Sequence, residues 1–229
     1  MDALAKLDAQ ISACRACPRL VAWREQVARE KRAAFKDEVY WGRPVPGFGA
    51  SDARILILGL APAAHGGNRT GRIFTGDRSG DVLFAAMHRA GLANQALSVS
   101  IDDGLKLVDV RIAASVRCAP PDNKPTPEER DTCASWLVQE VGFLKPTLRV
   151  VLTLGAFAWG AWWPTMSSVY SVSPPRPRPT FGHGALWRGD GVPTVIGSFH
   201  VSQQNIFTGK LTPAMLDDVF ALVKAEAGL

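Results

Sequence analysis

Two hydrophobic patterns alternate along the chain, and each predicts a different secondary structure. Four short apolar runs are typical of buried parallel strands: 54–59, 108–116, 149–154 and 193–197. Apolar residues at helical spacing predict helices around these strands: two within 2–36, then 82–92, 126–143 and a last one after Thr212. Because strands alternate with helices, the sequence predicts an α/β fold with a parallel sheet.

Three loops with unusual composition follow predicted strands, at 59–80, 118–126 and 200–209. The carboxyl ends of parallel strands lie along one rim of a sheet, and α/β proteins bind their ligands there. We therefore expect the three loops to meet at that rim and form a functional site.

Composition narrows the class of protein. The chain of 229 residues, 47% of them hydrophobic, has the length of a single domain, 1–229, with a real core. Its 26 basic and 21 acidic residues give a net charge of +5, which is basic without being a disordered polycation. The N-terminus lacks a signal-peptide core, and the uncharged segment 150–175 is apolar only over 150–163, which predicts a strand and a short helix. We expect a cytoplasmic protein with no membrane partner.

The four cysteines have the spacing of metal ligands. Cys14 and Cys17 form a close pair between the two N-terminal helices. Cys118 follows the second strand, and Cys133 lies on the next helix. Disulfides are disfavoured in the cytoplasm, and the close pair argues against four unrelated buried residues. Four thiolates suit either a zinc ion or an iron–sulfur cluster, and the spacing alone leaves both open.

The loop at 59–80 combines glycines with positive charge. Its glycines allow a ligand to approach the backbone closely, and Arg69, Arg72 and Arg78 offer charge to a phosphate. The loop has neither a GxxxxGK[ST] nor a GxGxxG motif, which argues against nucleoside triphosphates and dinucleotides. Phe74, an aromatic among polar residues, suits stacking on a flat base or, alternatively, anchoring of the loop in the core.

The chain resembles the type B, family 5 branch of the uracil-DNA glycosylases in three ordered segments: GLAPAAHGGNRTGRIFTGD at 59–77, RCAPPDNKPTPEE at 117–129 and HVSQQNIFTGKLTPAML at 200–216. The resemblance implies a three-layer α/β sandwich with a central parallel four-stranded sheet flanked by helices. It implies a structural [4Fe–4S] cluster on the four cysteines, which ties the N-terminal helices to the core. It also implies an enzyme that flips uracil out of double- or single-stranded DNA and hydrolyses its N-glycosidic bond, leaving an abasic site.

The resemblance assigns roles to individual residues. His200 would lie near O2 of the base and stabilise the leaving anion, Phe74 would stack on the base, and Asn123 would bind its edge. Asn123 is alternatively a turn residue between prolines. The segment 202–208 resembles the loop that enters the minor groove and fills the gap left by the base, with Asn205 as a DNA or sugar contact. The remaining predicted contacts are Ala61 with the substrate and, with DNA, Arg69, Arg72, Ser202, Gln203 and Gln204.

The group that positions the attacking water is a separate question. Many branches of this family have a polar or acidic residue directly after the first strand, where this chain has the apolar segment 60–63. Type B enzymes share this absence, so we expect Asp77, the nearest carboxylate, to hold or activate the water, or alternatively to cap the next helix. His65 is the second candidate, with a hydrogen bond that organises the loop as its alternative role.

A monofunctional glycosylase is the expected enzyme. The loop lysines, Lys124 and Lys210, are better placed for phosphate than for a Schiff base. We expect a monomer, associated with the nucleoid, and an apolar pocket that admits other deaminated or damaged bases. The alternatives are a catalytically silent DNA-damage-binding module of the same fold and, less favoured, a cluster-based redox sensor.

Overall fold

Strands and helices alternate in the computed structural model, which describes residues 3–229. The strands are β1 (Phe48–Gly49), β2 (Ile55–Gly59), β3 (Val110–Ala114), β4 (Val150–Leu154), β5 (Leu186–Trp187) and β6 (Thr194–Ser198). The helices are α1 (Ala3–Ser12), α2 (Pro18–Glu30), α3 (Gly67–Thr70), α4 (Arg78–Arg89), α5 (Pro127–Leu144), α6 (Ala156–Tyr170), α7 (Gln203–Phe207) and α8 (Pro213–Ala227). The predicted strands are confirmed as β2, β3, β4 and β6, and the predicted helices as α1, α2, α4, α5, α6 and α8. The predicted helix start at Asp2 lies outside the described residues.

The sheet has the strand order β1-β3-β2-β4-β6-β5. Its four central strands are parallel, with Ile57 of β2 beside Ile112 of β3 and Leu152 of β4. The edge strands β1 and β5 are two residues long and run antiparallel to β3 and β6. The predicted parallel four-stranded sheet is therefore the centre of a mixed six-stranded sheet. Strands of two residues give no periodic pattern, which is why the sequence did not predict the edges.

Helices cover both faces of the central sheet, because successive residues of a strand point to opposite sides. On β2, Ile55 and Ile57 pack with α4 and α8 in one hydrophobic layer. Leu56 and Leu58 pack with α1, α5 and α6 in the other layer. This arrangement confirms the predicted three-layer α/β sandwich.

The uncharged segment 150–175 forms β4 and α6 inside this sandwich. Trp162 and Trp163 of α6 are fully buried, as the apolar pattern predicts. Of the helices that the structure describes, none is both long enough and apolar enough to cross a membrane.

Side-chain caps determine where the helices beside the rim begin. α5 begins at a capping box, in which the Thr126 hydroxyl accepts the Glu129 N–H and the Glu129 carboxylate accepts the Thr126 N–H. α4 begins after Asp77, in agreement with the alternative role predicted for this residue. The Asp77 Oδ1 accepts the Gly80 N–H at 3.0 Å.

A buried charge network attaches α1 to the sheet. Arg111 of β3 donates to both carboxylate oxygens of Asp8 on α1, at 2.8 and 2.9 Å. Arg111 and Arg117 also pair with Glu140, a buried residue of α5. Because a buried charge needs a partner of opposite sign, these pairs hold α1, β3 and α5 in one arrangement.

Candidate active site and cysteine cavity

The three loops meet at the rim of the sheet and enclose a cleft of about 560 Å³, here called the main cleft. The loop after β2 contributes Leu60, Ala61, Ala63, Phe74 and Asp77, and α4 contributes Ser79. The other two loops contribute Asp122 and Asn123 after β3, and His200, Ser202, Gln203 and Gln204 after β6. The prediction that the three loops meet is confirmed.

Phe74 lies at the base of the main cleft. Its side chain is 6% exposed and belongs to the hydrophobic core, yet it also lines the cleft. Gly59 at the end of β2 makes room for the ring, since a Cβ there would lie 2.9 Å from Phe74 Cζ. The two predicted roles, core anchor and face for a flat ligand, are therefore compatible with one position.

His200 lies beside Phe74 in the lining of the main cleft, with 6.2 Å between the ring centroids. Burial lowers the pKa of His200, so its imidazole is neutral at neutral pH. A neutral imidazole has one N–H to donate and one nitrogen to accept. The side chain therefore offers a hydrogen-bond donor to a ligand in the cleft without placing a full charge there.

Asn205 lies behind this histidine. Its Nδ2 donates to the backbone carbonyl of His200 at 2.8 Å, and Asn205 is not among the residues that line the main cleft. The structure thus gives Asn205 a contact that positions the segment carrying His200, and its contact with DNA or sugar stays a prediction. Ser202 accepts the Asn205 N–H at 3.3 Å and caps α7.

Asp77 caps α4 and also borders the main cleft. Its Oδ1 caps α4, and its Oδ2 lies next to Gly66, where a Cβ would be only 2.0 Å away. Burial raises the pKa of Asp77, although hydrogen bonds from the Gly80 and Ser79 N–H groups oppose the shift. Asp77 also lines the main cleft, so capping does not remove it from the site.

His65 lies outside the main cleft. Its Nδ1 is 3.0 Å from the Tyr40 hydroxyl, and its backbone carbonyl accepts the Arg69 Nε–H. Burial, together with the nearby charges of Arg32 and Arg69, lowers the pKa of His65. The contacts match its alternative role, a hydrogen bond that organises the loop.

Arg69 and Arg72 require a correction, because both guanidinium groups are buried. Arg69 pairs with Glu38 and is 8% exposed, and Arg72 pairs with Asp103 and is 3% exposed. Burial opposes the change, but hydrogen bonds from Arg72 and from backbone N–H groups lower the pKa of Asp103 to about 2. These arginines hold the loop together, whereas phosphate contact requires an exposed guanidinium. Arg78 remains exposed.

A second cleft of about 780 Å³, here called the flanking cleft, adjoins the main cleft and shares Asp77, Asp122 and Asn123 with it. Its outer wall comes from the N-terminal segment, from the start of α4 and from α7, and includes Trp23, Arg32, Phe35, Arg78 and Phe207. Phe207 is 68% exposed, and Arg78 lies over its ring. Sequence reasoning missed Trp23, Arg32 and Phe35, because nothing in the local pattern places the N-terminal helices beside this rim.

Asn123 lies on an exposed turn between the two clefts. Asp122 and Asn123 both have positive φ, 54° and 56°, a conformation that Asn and Asp adopt more readily than other side chains. Gln203 and Gln204 are exposed and also line the main cleft. The structure thus brings the predicted polar contacts to one opening.

The four cysteines line one small apolar cavity, shared with side chains such as Leu20, Val116 and Trp136. Among the described residues, no three His, Cys, Asp or Glu side chains stand in a ready-made coordination geometry. Burial raises the pKa of the Cys118 thiol to about 12.

Comparison with known proteins identifies the family. The model of the Uracil DNA glycosylase superfamily matches residues 46–224, most of the chain. This chain belongs to the uracil DNA glycosylase superfamily. Proteins named "Type-5 uracil-DNA glycosylase" from Mycobacterium tuberculosis and Thermus thermophilus are 55% and 50% identical to it, over 99% and 96% of this chain and 82% and 96% of their own lengths. A "Type-4 uracil-DNA glycosylase" from Thermotoga maritima is 33% identical over about half of each chain. Superfamily membership agrees with the α/β sandwich and with a cleft at the rim of its sheet.

Proposed function

We propose that this protein is a type B uracil-DNA glycosylase, a monofunctional hydrolase that removes uracil from DNA and leaves an abasic site. The observation that carries this proposal is the pairing of Phe74 and a neutral His200 in the lining of the main cleft. A flat, polar ligand that enters between the loops meets an aromatic ring, a hydrogen-bond donor and an amide. A flipped nucleobase has the matching chemistry.

Recognition of the base would use Phe74 and Asn123. The buried ring of Phe74 offers an apolar surface to the base, and Ala61 continues that surface. The Asn123 amide has both donors and an acceptor, so it can match the donor and acceptor edge of uracil. The apolar surface near Leu60 and Ala61 would also accept larger deaminated or damaged bases, such as hypoxanthine.

Departure of the base would depend on His200. When the bond between C1′ and the base nitrogen breaks, the electron pair moves to the base and negative charge develops on its carbonyl oxygens. The neutral imidazole of His200 would donate an N–H to O2 of the base and stabilise the anion. One preorganised donor of this kind typically lowers the barrier by about 2.7–4 kcal/mol.

Hydrolysis would be completed by a water molecule positioned by Asp77. The water oxygen bonds to C1′ of the sugar and gives up a proton, and the base is released in protonated form. Asp77 has one carboxylate oxygen engaged in capping α4, and its carboxyl group borders the cleft. We assign His65 a supporting role, since it lies in the flanking cleft and contacts Tyr40.

DNA would lie across both clefts. The exposed residues Arg78, Gln203 and Gln204 border the opening, and Arg32 adds charge on the far wall of the flanking cleft. Phe207 on α7 is well exposed and lies in the segment expected to fill the gap in the duplex. We place this activity at the nucleoid in the cytoplasm, where the substrate lies, and expect a monomer.

We also propose that Cys14, Cys17, Cys118 and Cys133 hold a [4Fe–4S] cluster. Support comes from the donor set, four thiols around one cavity, and from the buried guanidinium of Arg24, which donates to Cys118 Sγ at 2.9 Å. The cluster would be structural: it joins the segment before α2 to the loop after β3 and to α5. Zinc has the same ligand preference, so metal analysis of the purified protein decides between the two.

The experiment that tests the function is excision of uracil from a U:G duplex under single-turnover conditions. We expect free uracil and an alkali-labile abasic site, with no covalent complex after borohydride treatment. Binding of the duplex without excision would favour the catalytically silent damage-binding module. Trapping by borohydride would contradict the monofunctional assignment. Parallel duplexes with hypoxanthine or ethenocytosine test the expected breadth, and activity on uracil alone would contradict it.

A further inference from the structure

Arg24 of α2 is a buried cation that contacts two cysteine-bearing segments. Its side chain is only 2% exposed. Nη1 donates to Cys118 Sγ at 2.9 Å, and Nη2 donates to the backbone carbonyl of Cys14 at 3.1 Å. One guanidinium therefore bridges the N-terminal cysteine pair and the loop after β3.

Arg24 differs from the other buried arginines because no carboxylate of the described residues is paired with its guanidinium. Each of the other buried arginines in the described part of the chain pairs with a carboxylate: Arg69, Arg72, Arg111 and Arg117. Arg24 forms no such ion pair among the described residues, and its Nε is buried without an acceptor. A buried charge without a counter-ion is costly, so this position calls for an anion.

The thiols of the cysteine cavity can supply that anion. Cysteine binds metals as the thiolate, so four bound thiolates bring net negative charge to the place where Arg24 lies. We propose that Arg24 is the buried counter-ion of the thiolate-bound centre, increasing its retention and raising its reduction potential. This inference rests on the proposed cluster and is independent of the assignment of uracil as substrate.

Arg24 also connects the cysteine cavity with the main cleft. Asn68 of α3, which is fully buried, donates from Nδ2 to the backbone carbonyl of Arg24 at 3.2 Å. α3 belongs to the loop that carries Phe74 and Asp77. The turn of α2 that faces the thiols is therefore held by the same loop that lines the main cleft.

The test compares the full chain with Arg24→Gln, Arg24→Lys and a control, Arg15→Gln. Arg15 is close to the same cysteines but exposed and paired with Glu25, so its loss should leave the centre unchanged. The measurements are iron and sulfide per chain, iron retention in competition with a chelator, and the reduction potential. We expect Arg24→Gln to bind iron about 10- to 100-fold more weakly, the usual effect of losing an outer-shell partner. Its potential should be lower, and Arg24→Lys should keep the wild-type potential.

Thermal unfolding with and without metal separates a counter-ion from a purely structural tether. A counter-ion predicts that Arg24→Gln is less stable than wild type with the centre bound and at least as stable without it. Loss of stability in both forms, failure of both Arg24 variants to fold, or unchanged retention and potential in Arg24→Gln would overturn the proposal. A wild type that binds neither iron nor zinc would also overturn it. Uracil excision, measured on the same preparations, shows separately whether the proposed activity stands.

Discussion

The main cleft and the cysteine cavity are lined by the same loop but differ in almost every physical property. The loop after β3 presents Cys118 to a small apolar cavity and, a few residues later, Asn123 to an open polar cleft. Cys118 is 8% exposed, whereas Asn123 is exposed. The loop is therefore fixed by burial at its Cys118 end, while its Asn123 end remains accessible to a ligand.

Removal of a thiol should have the largest effect, because it would disturb both regions. Cys118→Ser replaces a thiol that we propose binds metal as the thiolate with a poor ligand, next to the buried Arg24. We expect loss of bound iron, a lower melting temperature and loss of most excision activity. Metal analysis and calorimetry check this. Retention of full activity without metal would show that the two regions are independent.

His200→Ala should affect the main cleft alone. Without the donor to the leaving base, the single-turnover rate constant should fall about 10²- to 10³-fold. Iron content and melting temperature should stay unchanged, because His200 does not border the cysteine cavity. His88→Ala, an exposed position on α4, is the matched control. A reduction of less than tenfold would remove His200 from the central role.

Two substitutions of Asp77 separate its two roles. Asparagine is also a good N-cap, so Asp77→Asn should retain stability and lose the carboxylate. Asp77→Ala should lose both the helix cap and the carboxylate. Loss of the cap should lower the free energy of unfolding by about 0.5–2 kcal/mol. We expect similar, strongly reduced excision rates for the two variants and different melting temperatures. Wild-type excision by Asp77→Asn would assign the water to another group.

The pH dependence of excision should report the neutral state of His200. Burial lowers its pKa, so the active neutral form persists below the ordinary value of about 6.5 and is lost as the pH falls through the lowered pKa. The pKa of Asp77 is raised, so its carboxylate also becomes protonated as the pH falls. Rate constants should therefore be flat near neutral pH and fall in acid. Profiles of Asp77→Asn and His200→Ala show which group produces each part of the fall.

The smallest effect should come from a substitution of Arg32 in the outer wall of the flanking cleft. Arg32→Ala should weaken DNA binding to a similar degree for all sequences and reduce the slope of log K against log salt by about 1. The rate constant of excision at saturation should not change. Arg29→Ala serves as the control, since this residue of the same N-terminal segment does not border that cleft. An unchanged salt dependence would place the strand elsewhere.

The parts of the molecule that the sequence predicted are those with local or periodic signals. The strands of the central sheet are continuous apolar runs because both of their faces are buried. The loops beside them could be placed at one rim by topology alone. Phe74 and His200 could be singled out because a resemblance to known motifs covers them.

What the sequence could not predict depends on contacts between distant segments. Arg69 and Arg72 look like surface charges until their partners, Glu38 and Asp103, are seen, each about thirty positions away along the chain. The amide of Asn205 donates to the backbone carbonyl of His200, a contact that has no signature in sequence.

The flanking cleft has a consequence for how such enzymes can diversify. Its outer wall includes Trp23, Arg32 and Phe35, all of which precede the matched superfamily segment 46–224, whereas every residue that lines the main cleft falls within that segment. Changes in the first segment can therefore alter the wall of the flanking cleft while the residues that line the main cleft stay the same. The surface beside the main cleft can thus vary between related chains without any change in the main cleft itself.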